Sequence, residues 1–294
     1  HDALPIFHKI FHTPAHTMDP LILEVYRYQY ENNRLYQDFC RALQRSPDRV
    51  TTLDDLPFLP IRFFKSHQVQ TGNYEPVTYF ESSGTTGTTN SRHYLLSTDL
   101  YRTNFTAGFR QFYGDPADWC IIGLLPAYLE RQHSSLVVMV DELIRLSGHA
   151  RSGFYLYDYA RLKDTLIDLE GEGQKVLLIG VTFALLDFAE QFPMSLKSTT
   201  LMETGGMKGR RTELTRPELH EILGSAFGNP PIHSEYGMTE LLSQAYCGDD
   251  GLFRSPPWMK ILLREEDDPL AIIHPPGGTR RVNNGAINVI DLAN

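Results

Sequence analysis

The 294 residues suffice for one large or two small domains, and 41% hydrophobic with 21% charged residues is ordinary globular usage, excluding a disordered, collagen-like or membrane composition. A formal charge of -9 argues against an electrostatic nucleic-acid or anionic-membrane surface, so a phosphate-bearing ligand must be held by local donors. No apolar run reaches the roughly 18 residues of a membrane span, and Cys40, Cys120 and Cys247 are too widely spaced for a disulfide framework or a zinc knuckle. Reduced thiols and a cytoplasmic location are expected, with no nucleic-acid partner and no membrane insertion.

In chain order, Asp19-Pro20 starts a helix, and Leu21, Val25, Tyr28, Leu35 and Phe39 recur at helical spacing, predicting one long amphipathic helix. His8, His12 and His16 keep an i, i+4 spacing that could ligate a metal, but Pro14 interrupts the helix they would need. Val77 to Phe80 reads as a strand. From Cys120 onward, short apolar runs alternate with helical patterns: Cys120 to Leu125 then Ser134 to Ser147, and Gly153 to Tyr157 then Tyr159 to Glu170. Lys175 to Val181 then Phe183 to Phe192, and Thr199 to Met202 then Pro217 to Phe227, complete the series. Such β-then-α units predict an α/β fold with a parallel sheet and flanking helices. Beyond Gly248, Lys260 to Leu263, Leu270 to Ile273 and Ala286 to Ile290 are expected strands without helices between them. The expected division is therefore a main core over 1–247 and a smaller, more antiparallel subdomain over 248–294. The acidic run Glu265 to Asp268 is expected to form a solvated hairpin tip.

The densest chemical pattern is Ser82-Ser83-Gly84-Thr85-Thr86-Gly87-Thr88-Thr89 after the strand ending at Phe80. Glycines free the backbone, and uncharged hydroxyl and N–H donors can wrap phosphate oxygens. No lysine lies between Glu81 and Thr98, so this is not a P-loop, and Ser83 lacks the flanking glycines of a nucleophile elbow. A structural Ser/Thr/Gly connection is the alternative. Downstream, Ser234-Glu235-Tyr236-Gly237-Met238-Thr239-Glu240 offers a stacking ring in Tyr236, close backbone approach at Gly237, a phosphate donor in Thr239 and a hard-cation ligand in Glu240.

Ser83-Gly84-Thr85-Thr86-Gly87 and Tyr236-Gly237-Met238-Thr239-Glu240, in that order and about 150 positions apart, resemble the phosphate and adenine loops of the adenylate-forming (AMP-forming) acyl-CoA synthetase superfamily. Leu59 to Lys65 and Asn90 to His93 look like the acyl-protein synthetases of bacterial bioluminescence, with phenylacetate-CoA ligases the next branch. The resemblance implies that Ser82 to Thr89 clamp the β- and γ-phosphates of ATP, Tyr236 lies against adenine, Thr239 touches the α-phosphate and Glu240 binds Mg2+. By the same likeness Glu235, Gly237 and Met238 line the nucleotide site, the turn at Gly205 and Gly206 borders nucleotide and acyl group, and His133 approaches the carboxylate. The acyl pocket is expected between that turn and the first sheet helices, bounded by residues such as Leu136 and Phe183.

The implied activity is ATP-dependent activation of a fatty or aryl carboxylic acid to an acyl-adenylate, followed by transfer to the thiol of CoA or of an acyl-carrying protein. Asn90 stands where many relatives have lysine, and Arg92 is the candidate replacement for that charge. Gly285 to Asn294 looks like the strand preceding the superfamily's ribose-binding aspartate, and Asp291 falls before that position. The superfamily's small mobile domain with its catalytic lysine is absent from this chain, so either a truncated synthetase or a remnant that binds without turnover is expected. Cys247 is the cysteine nearest the site, and the sequence shows no cationic neighbour that would activate it. A non-catalytic nucleotide or acyl-adenylate binding module of the same fold is the alternative.

Overall fold

The computed structural model describes residues 4–82, 89–126, 133–205, 213–274 and 284–294. Its residues fall into two compact units that interlace along the chain: the first comprises 1–104, 239–243 and 255–294, the second 105–238 and 244–254. The units therefore do not divide at 247/248. Among the described residues, no helix is long and apolar enough to cross a membrane.

The first unit opens with helices α1 (Leu4–His12), α2 (Met18–Asn32) and α3 (Arg34–Ala42). The single long helix expected here is broken at Asn33, which is extended at φ -110° and ψ 101° and whose side chain accepts from the Tyr36 N–H. Asn at this point offers the backbone a cap in place of another helical bond, so it ends one helix and starts the next. The one-turn helix α4 (Phe63–Ser66) precedes a hairpin of β1 (Thr78–Glu81) and β2 (Arg92–Leu95). The segment 78–95 thus flanks the Ser/Thr/Gly stretch with two antiparallel strands.

The second unit is built on a seven-stranded sheet. Helix α5 (Asp99–Tyr113) leads into it, and the strands are β3 (Cys120–Leu124), β4 (Gly153–Phe154), β5 (Val176–Gly180), β6 (Thr199–Glu203), β7 (Ile232–Tyr236), β8 (Ala245–Cys247) and β9 (Phe253–Arg254). Their order is β4-β3-β5-β6-β7-β8-β9, parallel through β7 and antiparallel thereafter. Helices α6 (Ser135–Ser147), α7 (Tyr159–Glu172), α8 (Thr182–Gln191) and α9 (Arg216–Phe227) form the crossovers. Every residue of β3, β5 and β6 is buried, as the continuous apolar runs require for strands covered on both faces. Starts are capped where the sequence places hydroxyls: Ser134 accepts from Val137 N–H, and Thr215 with Glu218 forms a capping box.

The remainder of the first unit is an antiparallel pair, β10 (Met259–Arg264) and β11 (Ala286–Asp291). Leu270 to Ile273, expected as a strand, contributes only an isolated bridge from Ile272 to Arg264. The Asp268 side chain accepts from Leu270 N–H and bends the chain after Pro269, leaving no length for a ladder. Glu265 to Asp268 are exposed, and the Glu265 N–H donates to the Ala271 carbonyl across the turn.

Candidate functional site

In the first unit, Ser82 closes the neck of the Ser/Thr/Gly stretch: its N–H donates to the Ser91 carbonyl at 3.0 Å and its hydroxyl accepts from Ser91 N–H at 2.9 Å. Ser83, Gly84, Thr85, Thr86, Gly87 and Thr88 lie outside the described residues. Thr89 and Asn90 line a cavity of about 430 Å3 with Phe64, Lys65, Glu81 and Arg92. Arg92, the expected replacement for a missing phosphate cation, gives its Nε–H to Glu81 at 2.9 Å and lies over the Tyr79 ring at 5.1 Å. Its charge is thereby matched locally.

On β2, the alternation that exposes Arg92 turns His93 inward. The His93 ring is buried, and Nδ1 hydrogen-bonds the Thr239 carbonyl at 3.0 Å. Burial pulls its pKa down to about 4, so near neutrality the imidazole is uncharged and Nδ1–H donates. Residues 146 positions apart are fastened in this way, one on the strand returning from the Ser/Thr/Gly stretch and the other in the downstream motif.

Glu240 follows, nearly buried, its carbonyl accepting from the Asn294 amide at 2.7 Å. Among the described residues no protein group donates to its carboxylate. Immediately beyond, Asp291 Oδ2 accepts from Leu242 N–H and Ser243 N–H, both at 2.8 Å, and Oδ1 from the Ser243 hydroxyl at 2.6 Å and Ala293 N–H at 3.2 Å. Asn104 extends this network, donating to Ser243 Oγ at 3.0 Å and accepting from Trp258 Nε1–H at 2.6 Å. With four donors on a half-buried carboxyl, Asp291 anchors the chain that carries Glu240.

The second unit supplies two turns at the carboxyl ends of neighbouring parallel strands, where open α/β sheets bind ligands. After β6, Gly205 is exposed at φ +29°, and its N–H donates to Glu203 Oε2 at 3.1 Å. Thr204 N–H donates to the Gly180 carbonyl at the end of β5. Gly206 lies outside the described residues. After β7, Tyr236 is half-buried, with its hydroxyl donating to Met238 Sδ at 3.0 Å and its ring edge-on to Phe253. Gly237 is exposed, while Glu235 beneath it is buried. Burial, opposed by the Thr204 hydroxyl and reinforced by Glu203, pushes the Glu235 carboxyl up to about 7.

His133 is half-buried and directly precedes Ser134, the N-cap of α6, with 127–132 outside the described residues. Leu136 is half-buried in α6 and Phe183 buried in α8. Cys247 does have the cationic neighbour that the sequence did not reveal: Arg216 Nη1 lies 3.7 Å from its sulfur, while the buried thiol donates to the Gly248 carbonyl. Sequence reasoning also missed the part played by His93, although an imidazole at an inward position of a strand was a readable sign.

No protein-family model matches the chain. Over 68 residues it is 34% identical to the long-chain-fatty-acid–luciferin-component ligase of Photorhabdus luminescens, a match covering 23% of this chain and 58% of that relative. A variant of coronafacic acid ligase from Pectobacterium brasiliense aligns structurally over 53% of this chain and 32% of its own, at 19% identity and a TM-score of 0.35.

Proposed function

We propose that this chain, a relative of the adenylate-forming ligases, activates a carboxylic acid with MgATP as an acyl-adenylate for transfer to a thiol. The observation that supports this reading most is the His93–Thr239 hydrogen bond, which fastens the strand leaving the phosphate-loop motif to the backbone of the Thr-Glu pair. His93, Thr239 and Glu240 all belong to the first compact unit, so this bond lies within one body.

A carboxylate is a poor electrophile. In the reaction its oxygen attacks the α-phosphorus of ATP, the bond to the β-phosphate oxygen breaks, and pyrophosphate leaves. The mixed anhydride then yields its acyl carbon to a thiolate, with AMP as the leaving group. Little covalent chemistry falls to the protein, whose work is to hold two anions in line and neutralise the charge of the phosphorane-like transition state. Hydroxyls and N–H groups of Ser82 to Thr89 serve the β- and γ-phosphates, Thr239 the α-phosphate, and Tyr236 packs on adenine. The exposed turns at Gly205 and Gly237 let backbone approach the nucleotide.

Glu240 suits Mg2+: it is a nearly buried carboxylate that takes no protein donor among the described residues, and no group of three or more metal-binding side chains forms there. One carboxylate with phosphate oxygens and water completing the shell is the usual Mg2+ arrangement. The ion would supply charge neutralisation to the phosphates. The acyl group fits between the Gly205 turn and the helices carrying Leu136 and Phe183, with His133 at the start of α6 beside the carboxylate. A fatty acid is the favoured substrate class, an aryl acid the second, and CoA or an acyl-carrying protein the acceptor.

Titration calorimetry of this chain with MgATP and with MgAMP tests the nucleotide reading. Saturable binding that is lost in Glu240→Ala for MgATP supports it; absence of binding for both nucleotides overturns it.

A further inference from the structure

The connection from β7 to β8 contains no helix or strand, so no ladder holds Thr239 and Glu240, and their backbone groups must find partners elsewhere. Thr239 to Ser243 belong to the first unit, and side chains of that unit supply those partners. His93 Nδ1–H donates to the Thr239 carbonyl at 3.0 Å, and the Asn294 amide donates to the Glu240 carbonyl at 2.7 Å. Asn294 is itself held: its N–H donates to the Asp291 carbonyl at 3.1 Å, and its carbonyl accepts from Gln29 Nε2 at 3.1 Å. Beyond Glu240, Asp291 takes the Leu242 and Ser243 N–H groups, and the Asn104 amide donates to the Leu242 carbonyl.

The first two of these bonds act on one residue. A peptide unit is planar, so the Thr239 carbonyl and the Glu240 N–H turn together as one plate, and the Glu240 carbonyl belongs to the next. Between the two plates lie only the φ and ψ of Glu240. With a side chain holding each plate, both torsions are fixed, and the Cα that carries the carboxylate has one orientation. His93 is a stiff support: it is buried on β2, its register partner on β1 is the buried Phe80, and the Phe64 ring packs edge-on to it at 5.4 Å. We propose that His93 and Asn294 are positioning residues for Glu240, two side-chain clips that set its backbone so that the carboxylate meets Mg2+ and the nucleotide phosphates already in place. This rests on the nucleotide reading above, and in this role the clips touch neither metal nor nucleotide but act through Glu240. Mg2+ demands near-octahedral geometry, so a carboxylate on an unfixed backbone holds it more weakly.

The test is ATP affinity by titration calorimetry, each variant as the whole chain, with saturating Mg2+ and again in EDTA; the ratio of the two affinities isolates the metal's share. His93→Leu and Asn294→Ala should each lower that ratio roughly threefold to tenfold, the range of one hydrogen bond, and leave the metal-free affinity within about twofold of wild type. His93→Asn puts an amide N–H where Nδ1–H stands and should return the ratio to within about twofold of wild type. In a Glu240→Gln background, adding His93→Leu should leave the ratio unaltered, because its route to the metal is gone. An unchanged ratio in either single variant, no rescue by His93→Asn, or an equal loss in the Glu240→Gln background overturns the proposal. Asn294 is exposed, so Asn294→Ala and His93→Asn carry the test if His93→Leu does not fold. A wild type that binds no ATP, or binds it without help from Mg2+, defeats the functional reading alone, and hydrogen exchange in the free proteins then decides the clips. The Leu242 and Ser243 amides should exchange roughly threefold to tenfold faster in Asn294→Ala than in wild type; equal rates overturn the proposal.

Discussion

Lowering the pH should expose the cost of keeping His93 uncharged. The imidazole is 5% exposed and stays neutral down to about pH 4, whereas in the unfolded chain it takes up a proton near 6.5. Between these values the unfolded state binds more protons, so the contribution is complete above 6.5 and drains away as pH falls through 4. The gap corresponds to about 3 kcal/mol, at 1.36 kcal/mol per unit. Urea denaturation from pH 8 to 4 of wild type and His93→Gln measures it. Glutamine can still donate to the Thr239 carbonyl but does not titrate, so its curve should flatten by about 3 kcal/mol relative to wild type. Curves that run parallel across the window would refute the burial of a neutral imidazole at this position.

Other variants probe the elements around it. Asp291→Ala leaves three N–H groups and the Ser243 hydroxyl without their acceptor and should lower unfolding free energy by about 3 kcal/mol, measured by denaturant titration. Ser82→Ala removes the acceptor of Ser91 N–H at the neck of the loop and should cost about 1 kcal/mol by the same measurement. Arg92→Ala should change MgATP affinity by less than roughly threefold, because a guanidinium already matched by Glu81 has little charge to give a phosphate; calorimetry showing a loss beyond tenfold would restore Arg92 as the phosphate cation. Thr85→Val should weaken MgATP by about tenfold through loss of one phosphate donor, and a change below about threefold counts against its assignment.

The parallel core was legible because its strands are buried on both faces: the apolar runs at 120–125 and 175–181 coincide with β3 and β5 to within a residue. Helix α6 begins within a residue of the helical pattern read from Ser134, whose side chain proves to cap it. Elements decided by local side-chain competition were harder to read. Asn33 sits inside an otherwise helical pattern, and whether its amide caps a new helix depends on the packing on either side. Asp268 similarly turns the chain before Leu270 to Ile273 can pair. Within the candidate site, the motif residues announced themselves by type and spacing. Their supports did not: His93, Glu203 and Asp291 act through hydrogen bonds to backbone, and the residues they hold were identifiable only once strand register and burial were known.

The central claim, acid activation by adenylation, is tested most directly by exchange of labelled pyrophosphate into ATP across a panel of fatty and aryl carboxylic acids, using this 294-residue chain. Reversal of the first half-reaction returns label to ATP only when an acyl-adenylate forms. Exchange that requires both Mg2+ and one class of acid, and that disappears in Glu240→Ala, is the predicted result. No exchange with any acid, under conditions where a working ligase exchanges freely, contradicts the account and leaves a domain that binds nucleotide without turning it over.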